Sequence, residues 1–188
     1  MLKHPAKWSR RYARHLSRFG RARRAATAVE FALIAPAFIA VFVGLLQTMV
    51  VLFAQQALQA GASEAARLFM TGQAQNSNSG AGLTSSQLIS QICPMMQPLI
   101  NCTSLQVNVA SYSSFSGAST TPPTLTFNGS GQVTNTFTYA PGTPGQVMVI
   151  ELIYPMSTVS GPLGFTLSNL PNSMTEIVGV SAFRVEPY

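Results

Sequence analysis

Hydrophobic residues follow three different patterns along this chain. From Phe31 to Phe53 there is no polar face at all: 23 residues pass without a charge, and only Gln47 and Thr48 are clearly polar. That is the length an α-helix needs to cross a hydrocarbon layer about 30 Å thick. The next stretch, Ala54 to Met70, consists mostly of Ala, Gln, Leu, Glu and Arg, which favour helix. A helix from near Ala28 to Thr71 would be about 65 Å long at 1.5 Å per residue, with its outer half clear of a bilayer. Gly72 suits its C-terminal cap, and the polar run Gln73 to Gly82 reads as a flexible linker.

From Leu83 onward the periods shorten. Thr84 and Gln87 fit a capping box for a short helix that buries Leu88, Ile89 and Ile92 and ends at Pro94. Leu105 to Ala110 alternates as a strand does. A second strand pair is expected around an Asn128-Gly129 turn, with Leu125 and Phe127 before it and Val133, Phe137 and Tyr139 after it. Gln146 to Tyr154 is apolar on both faces, which predicts a central strand, and Thr175 to Val185 supplies the last one. The fold class is therefore α+β: a long N-terminal transmembrane helix extended outside the membrane, then a small exterior domain with a short helix and an antiparallel sheet.

Charge orients this layout. The formal net charge is +6, but Lys3, Lys7, Arg10, Arg11, Arg14, Arg18, Arg21, Arg23 and Arg24 all precede the first acid, and beyond them only Arg67 and Arg184 are basic. A basic segment before an apolar span stays on the cytoplasmic side, so the C-terminal domain is expected outside, anchored to the inner membrane by one pass. Within the leader, Arg10, Arg14, Arg18 and Arg21 share one helical face, and Trp8, Tyr12, Leu16 and Phe19 share another. This suits either a helix lying on an anionic leaflet or a solvated leader that only sets topology. Nucleic acid is not an expected partner, because the span follows at once. A cleaved secretory signal, with Ala60-Gly61-Ala62 as its site, is disfavoured: the apolar run is too long and the site lies too far past it.

The two cysteines, Cys93 and Cys102, are nine positions apart on the exterior side, where oxidation would close them into a disulfide. Both histidines, His4 and His15, lie in the leader, and the chain has no Asp. A Ser-His-Asp triad, a Cys-His pair or a His-rich metal site cannot be assembled outside, so neither enzyme activity, nor a metal, nor a cofactor is expected. Glu151 and Glu176 could form a carboxylate pair, with salt bridging to Arg184 as the plainer role.

Three positions in the long helix stand out. Glu30 places an acid directly before the apolar span, which is costly unless it is paired or stays at the headgroup boundary. Ala54, Ala57, Gly61 and Ala65 recur at helical spacing, which either admits a neighbouring helix closely or marks an Ala-rich helix without a partner. Pro36, about one turn into the span, should kink or locally unwind it.

Taken together, Arg23-Arg24-Ala25-Ala26-Thr27-Ala28-Val29-Glu30-Phe31-Ala32-Leu33-Ile34-Ala35-Pro36 resembles the N-terminus of TadE-like proteins, minor pilins or pseudopilins of the tight-adherence (Flp/Tad) type IV pilus system. Ala62-Ser63-Glu64-Ala65-Ala66-Arg67 is similar to that family's Ala-Ala-Arg helix end, and Arg184-Val185-Glu186-Pro187-Tyr188 to its Arg-x-Glu-Pro-aromatic ending. The resemblance implies that a prepilin peptidase removes a basic leader, residues 1–25, by cutting between Ala25 and Ala26, which makes Glu30 the fifth mature residue. Gly is usual where this chain has Ala25. The new amine of Ala26 would pair with Glu30 of a neighbouring subunit.

On this reading the chain divides into the leader 1–25, a long helix 26–72, a linker 73–82 and an exterior domain 83–188. The expected role is assembly, priming or tip formation of a tight-adherence pilus in support of surface attachment. Its expected partners are the peptidase, other major and minor pilins, the inner membrane and the assembly platform. The alternative is a permanently anchored periplasmic scaffold or binding protein.

Overall fold

The computed structural model describes residues 23–75, 82–159, 161 and 164–186. Most of the basic leader, residues 76–81 of the expected linker, and Pro187 and Tyr188 lie outside the described residues. The chain forms two compact units, 1–45 and 46–188.

The first element, α1, runs Arg23–Met70. It is helical without interruption through Pro36, so the local unwinding expected there does not occur. Proline lacks an N–H and leaves the carbonyl one turn earlier without its usual partner, yet a long helix tolerates a single missing bond. In the first unit Phe31, Leu33, Ile34, Phe38, Ile39, Val41, Phe42 and Leu45 are all more than half exposed. These large apolar groups point in every direction around the axis, which suits lipid and not water. Phe38 and Phe42, one turn apart, stack with ring centroids 6.4 Å apart.

In the second unit the helix changes character. Ala54, Leu58, Ala62, Ala65, Ala66 and Phe69 form a fully buried stripe, and α1 becomes the spine of the domain core. It ends as the sequence predicts: Gly72 takes φ 74°, which glycine adopts without steric cost, and the N–H groups of Thr71, Gly72 and Ala74 bond the last-turn carbonyls of Arg67, Phe69 and Leu68. Ala74 is buried, and its carbonyl receives the Leu83 N–H at 2.7 Å, so both ends of the segment between them are held.

Helix α2, Ser85–Met96, begins with the expected capping box: the Thr84 side chain accepts from the Gln87 N–H, and the Gln87 side chain accepts from the Thr84 N–H. It runs two residues beyond the predicted stop at Pro94. Leu88, Ile92 and Met96, at i, i+4 and i+8, are buried.

Three strands follow: β1 (Gln106–Tyr112), β2 (Val147–Ser157) and β3 (Met174–Arg184), in an antiparallel sheet of order β1-β2-β3. As its composition predicts, β2 is central, and Val147 to Ile153 are all buried. One face, with Val107, Val109, Met148, Ile150, Leu152, Ile177 and Phe183, joins α1 and α2 in the core.

The expected strand pair around Asn128-Gly129 is not a ladder. One bridge, Phe127 to Val133, is all that forms. Asparagine side chains take the backbone groups that a ladder needs: Asn135 Oδ1 accepts the Thr126 N–H, Asn135 Nδ2 donates to the Thr124 carbonyl, and Asn128 Oδ1 accepts from Ser130 and Gln132. This irregular segment closes the free side of β1, where the Val109 N–H bonds the Thr138 carbonyl and the Ala140 N–H bonds the Val109 carbonyl. Tyr139, between them, donates its hydroxyl to the Leu83 carbonyl at 2.9 Å, and burial pushes its phenol up to about 12.

The free side of β3 is closed by α1. Gln55 Nε2 donates to the Val178 carbonyl at 2.6 Å, and Gln59 both donates to the Val180 carbonyl at 2.8 Å and accepts the Val180 N–H at 3.2 Å. Gly179, between these valines, permits the contact: a Cβ there would lie 2.6 Å from the Leu58 carbonyl oxygen.

Two outcomes follow from this packing. Gly179→Ala would press on helix backbone and should destabilise the detergent-solubilised protein by about 1–3 kcal/mol. Gly61→Ala would meet mainly the flexible tip of Met96 and gain helix propensity, and so should cost clearly less. Denaturant unfolding followed by circular dichroism separates them, and equal losses would refute the close-approach reading. For Tyr139, whose free value is about 10, the stabilisation is complete below pH 10 and is lost as pH rises toward 12. Tyr139→Phe should remove that alkaline dependence and cost about 1 kcal/mol at neutral pH.

Candidate functional site

The residues singled out at the N-terminus occupy the first turns of α1. The Ala25–Ala26 bond lies near the N-terminal end of α1 as described. Glu30 follows Ala26 by four residues, one turn along the same face and about 6 Å up the axis. It is exposed, and among the described residues no side-chain hydrogen bond or ion pair reaches its carboxyl. In a helix that began at Ala26, Glu30 would stand at the edge of the first turn. There the positive end of the helix dipole favours a carboxylate.

The small-residue stripe has another partner than a neighbouring helix. Ala54, Gly61 and Ala65 are buried in the domain's own core, and Ala57 is half-buried. Gly61 lies directly under Met96 of α2 and Leu152 of β2. The close approach that small side chains allow is used within the chain, so these three positions are not open to a second helix.

At the end of the stripe, Ala65 and Ala66 are buried while Arg67 is exposed and paired with Glu64, Nε to Oε2 at 2.9 Å. The Arg67 guanidinium holds the Glu64 carboxyl below its ordinary value. At the C-terminus, Arg184 Nε donates to the Gly145 carbonyl at 2.9 Å, and Val185 exchanges backbone bonds with Gly145 and Gln146. The start of the Arg-x-Glu-Pro motif thus pins the end of β3 to the loop before β2.

Cys93 and Cys102 are bridged, with Cα atoms 6.1 Å apart, within the normal range for a disulfide. The bond joins the last turn of α2 to the segment that leads into β1.

Glu151 and Glu176 are not a carboxylate pair, and neither binds Arg184. In the register of β2 and β3, Glu151 stands opposite Val180 and Glu176 opposite Pro155, several residues apart. Asn108 Nδ2 bonds Glu151 at 2.8 Å. Burial raises the Glu176 carboxyl, whose Oε1 has no partner.

What sequence reading missed is the row of glutamines. Gln55 and Gln59 are one turn apart, and Gln47 lies two turns before Gln55 on the same face, donating to the Val159 carbonyl at 2.6 Å. Their spacing was visible; their acceptors lie more than 100 residues away.

Residues 25–67 match the family model described as TadE-like protein. The matched segment covers the proposed cleavage junction, Glu30, the apolar span and the buried stripe, and stops at Arg67. No curated protein and no solved structure matches the chain.

The disulfide yields a direct check. Closing a loop of this length should contribute about 2–3 kcal/mol. Paired Cys93→Ser and Cys102→Ser substitutions should lower unfolding stability by that amount, and thiol reagents should label neither cysteine in denaturant before reduction.

Proposed function

We propose, with the TadE-like sequence of α1 as the premise, that this chain is a minor pilin or pseudopilin of a tight-adherence pilus, a structural subunit and not an enzyme. The observation that carries the reading is the coincidence, on one helix, of three features. These are the family match, a Glu at the fifth position after a candidate cleavage bond, and a span whose large apolar residues are exposed all round.

In this reading the leader stays in the cytoplasm and the domain stands on the periplasmic or extracellular side of the inner membrane. Prepilin peptidase cuts between Ala25 and Ala26. The new ammonium of Ala26 and the Glu30 carboxylate of an adjacent subunit then neutralise one another as their helices pack, offsetting the burial of each. Other major and minor pilins and the assembly platform are the partners, and the role is priming or capping the filament in support of surface attachment. Because the outer stripe is occupied by the domain, helix-to-helix assembly is assigned to the lipid-facing first half of α1. A sheet-bearing domain of this size suits a subunit present in few copies.

A second reading, a permanently anchored periplasmic scaffold, is favoured by one residue. Ala25 stands where the peptidase's substrates usually carry Gly.

Intact mass of the membrane-extracted protein from a strain with active prepilin peptidase decides between them. Loss of residues 1–25 is expected, and an intact leader would select the scaffold. Glu30→Ala should leave membrane insertion unchanged while abolishing filament assembly; normal piliation would remove Glu30 from the mechanism.

A further inference from the structure

The face of the sheet turned away from the α1 stripe carries a second feature. Glu151, at the centre of the central strand, is only 3% exposed. It stands directly opposite Asn108 on β1 and opposite Val180 on β3. Asn108 Nδ2 donates to Glu151 Oε2 at 2.8 Å, and the Asn108 carbonyl oxygen accepts the Thr138 N–H at 2.9 Å. The second bond fixes which way the amide points, so its NH2 is held toward the carboxylate.

A cavity of about 240 Å³ opens over this pair. Asn108 and Glu151 line it together with Tyr112, Thr121, Thr136 and Thr138. The volume is many times that of one water, and its polar lining is hydroxyls, one amide and one carboxylate.

Among the described residues Glu151 has no counter-charge. A carboxylate accepts about four hydrogen bonds, and here one donor is present among the described residues. Beyond Arg24 the chain's only bases are Arg67, held by Glu64, and Arg184, held by the Gly145 carbonyl. A buried carboxylate whose one side-chain donor is a neutral amide is stabilised by a cation brought into the cavity above it.

We propose that this cavity binds a primary ammonium group on a short alkyl stem, with Glu151 as its counter-ion. An ammonium supplies three donors: one reaches the carboxylate, and the threonine and tyrosine oxygens around it accept the others. A guanidinium fits less well, because its two-pronged contact would have to share Oε2 with Asn108, whereas an ammonium needs only the free Oε1. A divalent ion such as calcium would call for more oxygen charge than a single carboxylate provides. The ammonium has two sources, a lysine side chain of another protein or a free amine.

The test uses the full chain in detergent and follows the Asn108 side-chain NH2 and the Thr138 backbone amide by NMR during titration with ethylammonium or Nα-acetyl-lysine amide. Saturable shifts are expected with at least one probe; a response to the lysine derivative alone identifies a protein side chain as the source, and a response to ethylammonium alone a free amine. Glu151→Gln should abolish saturation, Glu64→Gln should leave it unchanged, and Thr136→Val, which keeps the carboxylate, should weaken it several-fold. No saturable shift with either probe, an undiminished response in Glu151→Gln, or equal saturation by guanidinium or calcium chloride would overturn the proposal.

Discussion

The contact between Gly179 and the backbone of Leu58 is the constraint on which the domain depends. It brings β3 close enough to α1 for Gln55 and Gln59 to reach strand carbonyls on either side of the glycine. The same proximity seats Leu58 among Leu152, Ile177 and the residues of α2 in one core. A single methyl group at position 179 would stand between the helix and both sets of interactions. Burial and hydrogen bonding at this junction are therefore coupled: neither the apolar stripe nor the glutamines can engage without the other.

One helix is thus written for two solvents. Up to about Leu45 its large apolar side chains face outward in all directions, and no polar residue interrupts them after Glu30. From Gln47 the same helix carries polar groups with specific acceptors and a narrow stripe of small residues that fit against a sheet. The first half obeys the rule that lipid accepts any apolar surface; the second obeys the close packing of a protein interior. The TadE-like match spans both halves, so the helix carries the candidate membrane span and the domain's spine as one unit of sequence.

How much of this was legible residue by residue follows from the range of each interaction. Local signals read true: the unbroken apolar run, the Thr84 and Gln87 box, Gly72 as a helix cap, and the doubly apolar β2 were all stated by neighbours within a few positions. Signals that depend on distant partners did not. Ala54, Gly61 and Ala65 look the same whether they meet another subunit or their own sheet, because small size records closeness and not identity. Gln59 gives no hint of Val180, 121 positions later. The segment from Leu125 to Tyr139 alternates like a hairpin, yet Asn128 and Asn135 spend their side chains on the backbone groups that would have paired. Glu151 read as one acid among few, and only the register with Asn108 reveals a lined cavity above it.

Both lateral borders of the sheet are occupied, β1 by Thr138 to Ala140 and β3 by the glutamines of α1. An incoming strand from another polypeptide therefore meets an edge already engaged at Val109 on one side and at Val178 and Val180 on the other. Strand addition and edge-to-edge stacking are hindered at the middle of both borders. Any association of this domain through strand addition would first have to displace those covering contacts, so surfaces other than the sheet borders are the more accessible ones.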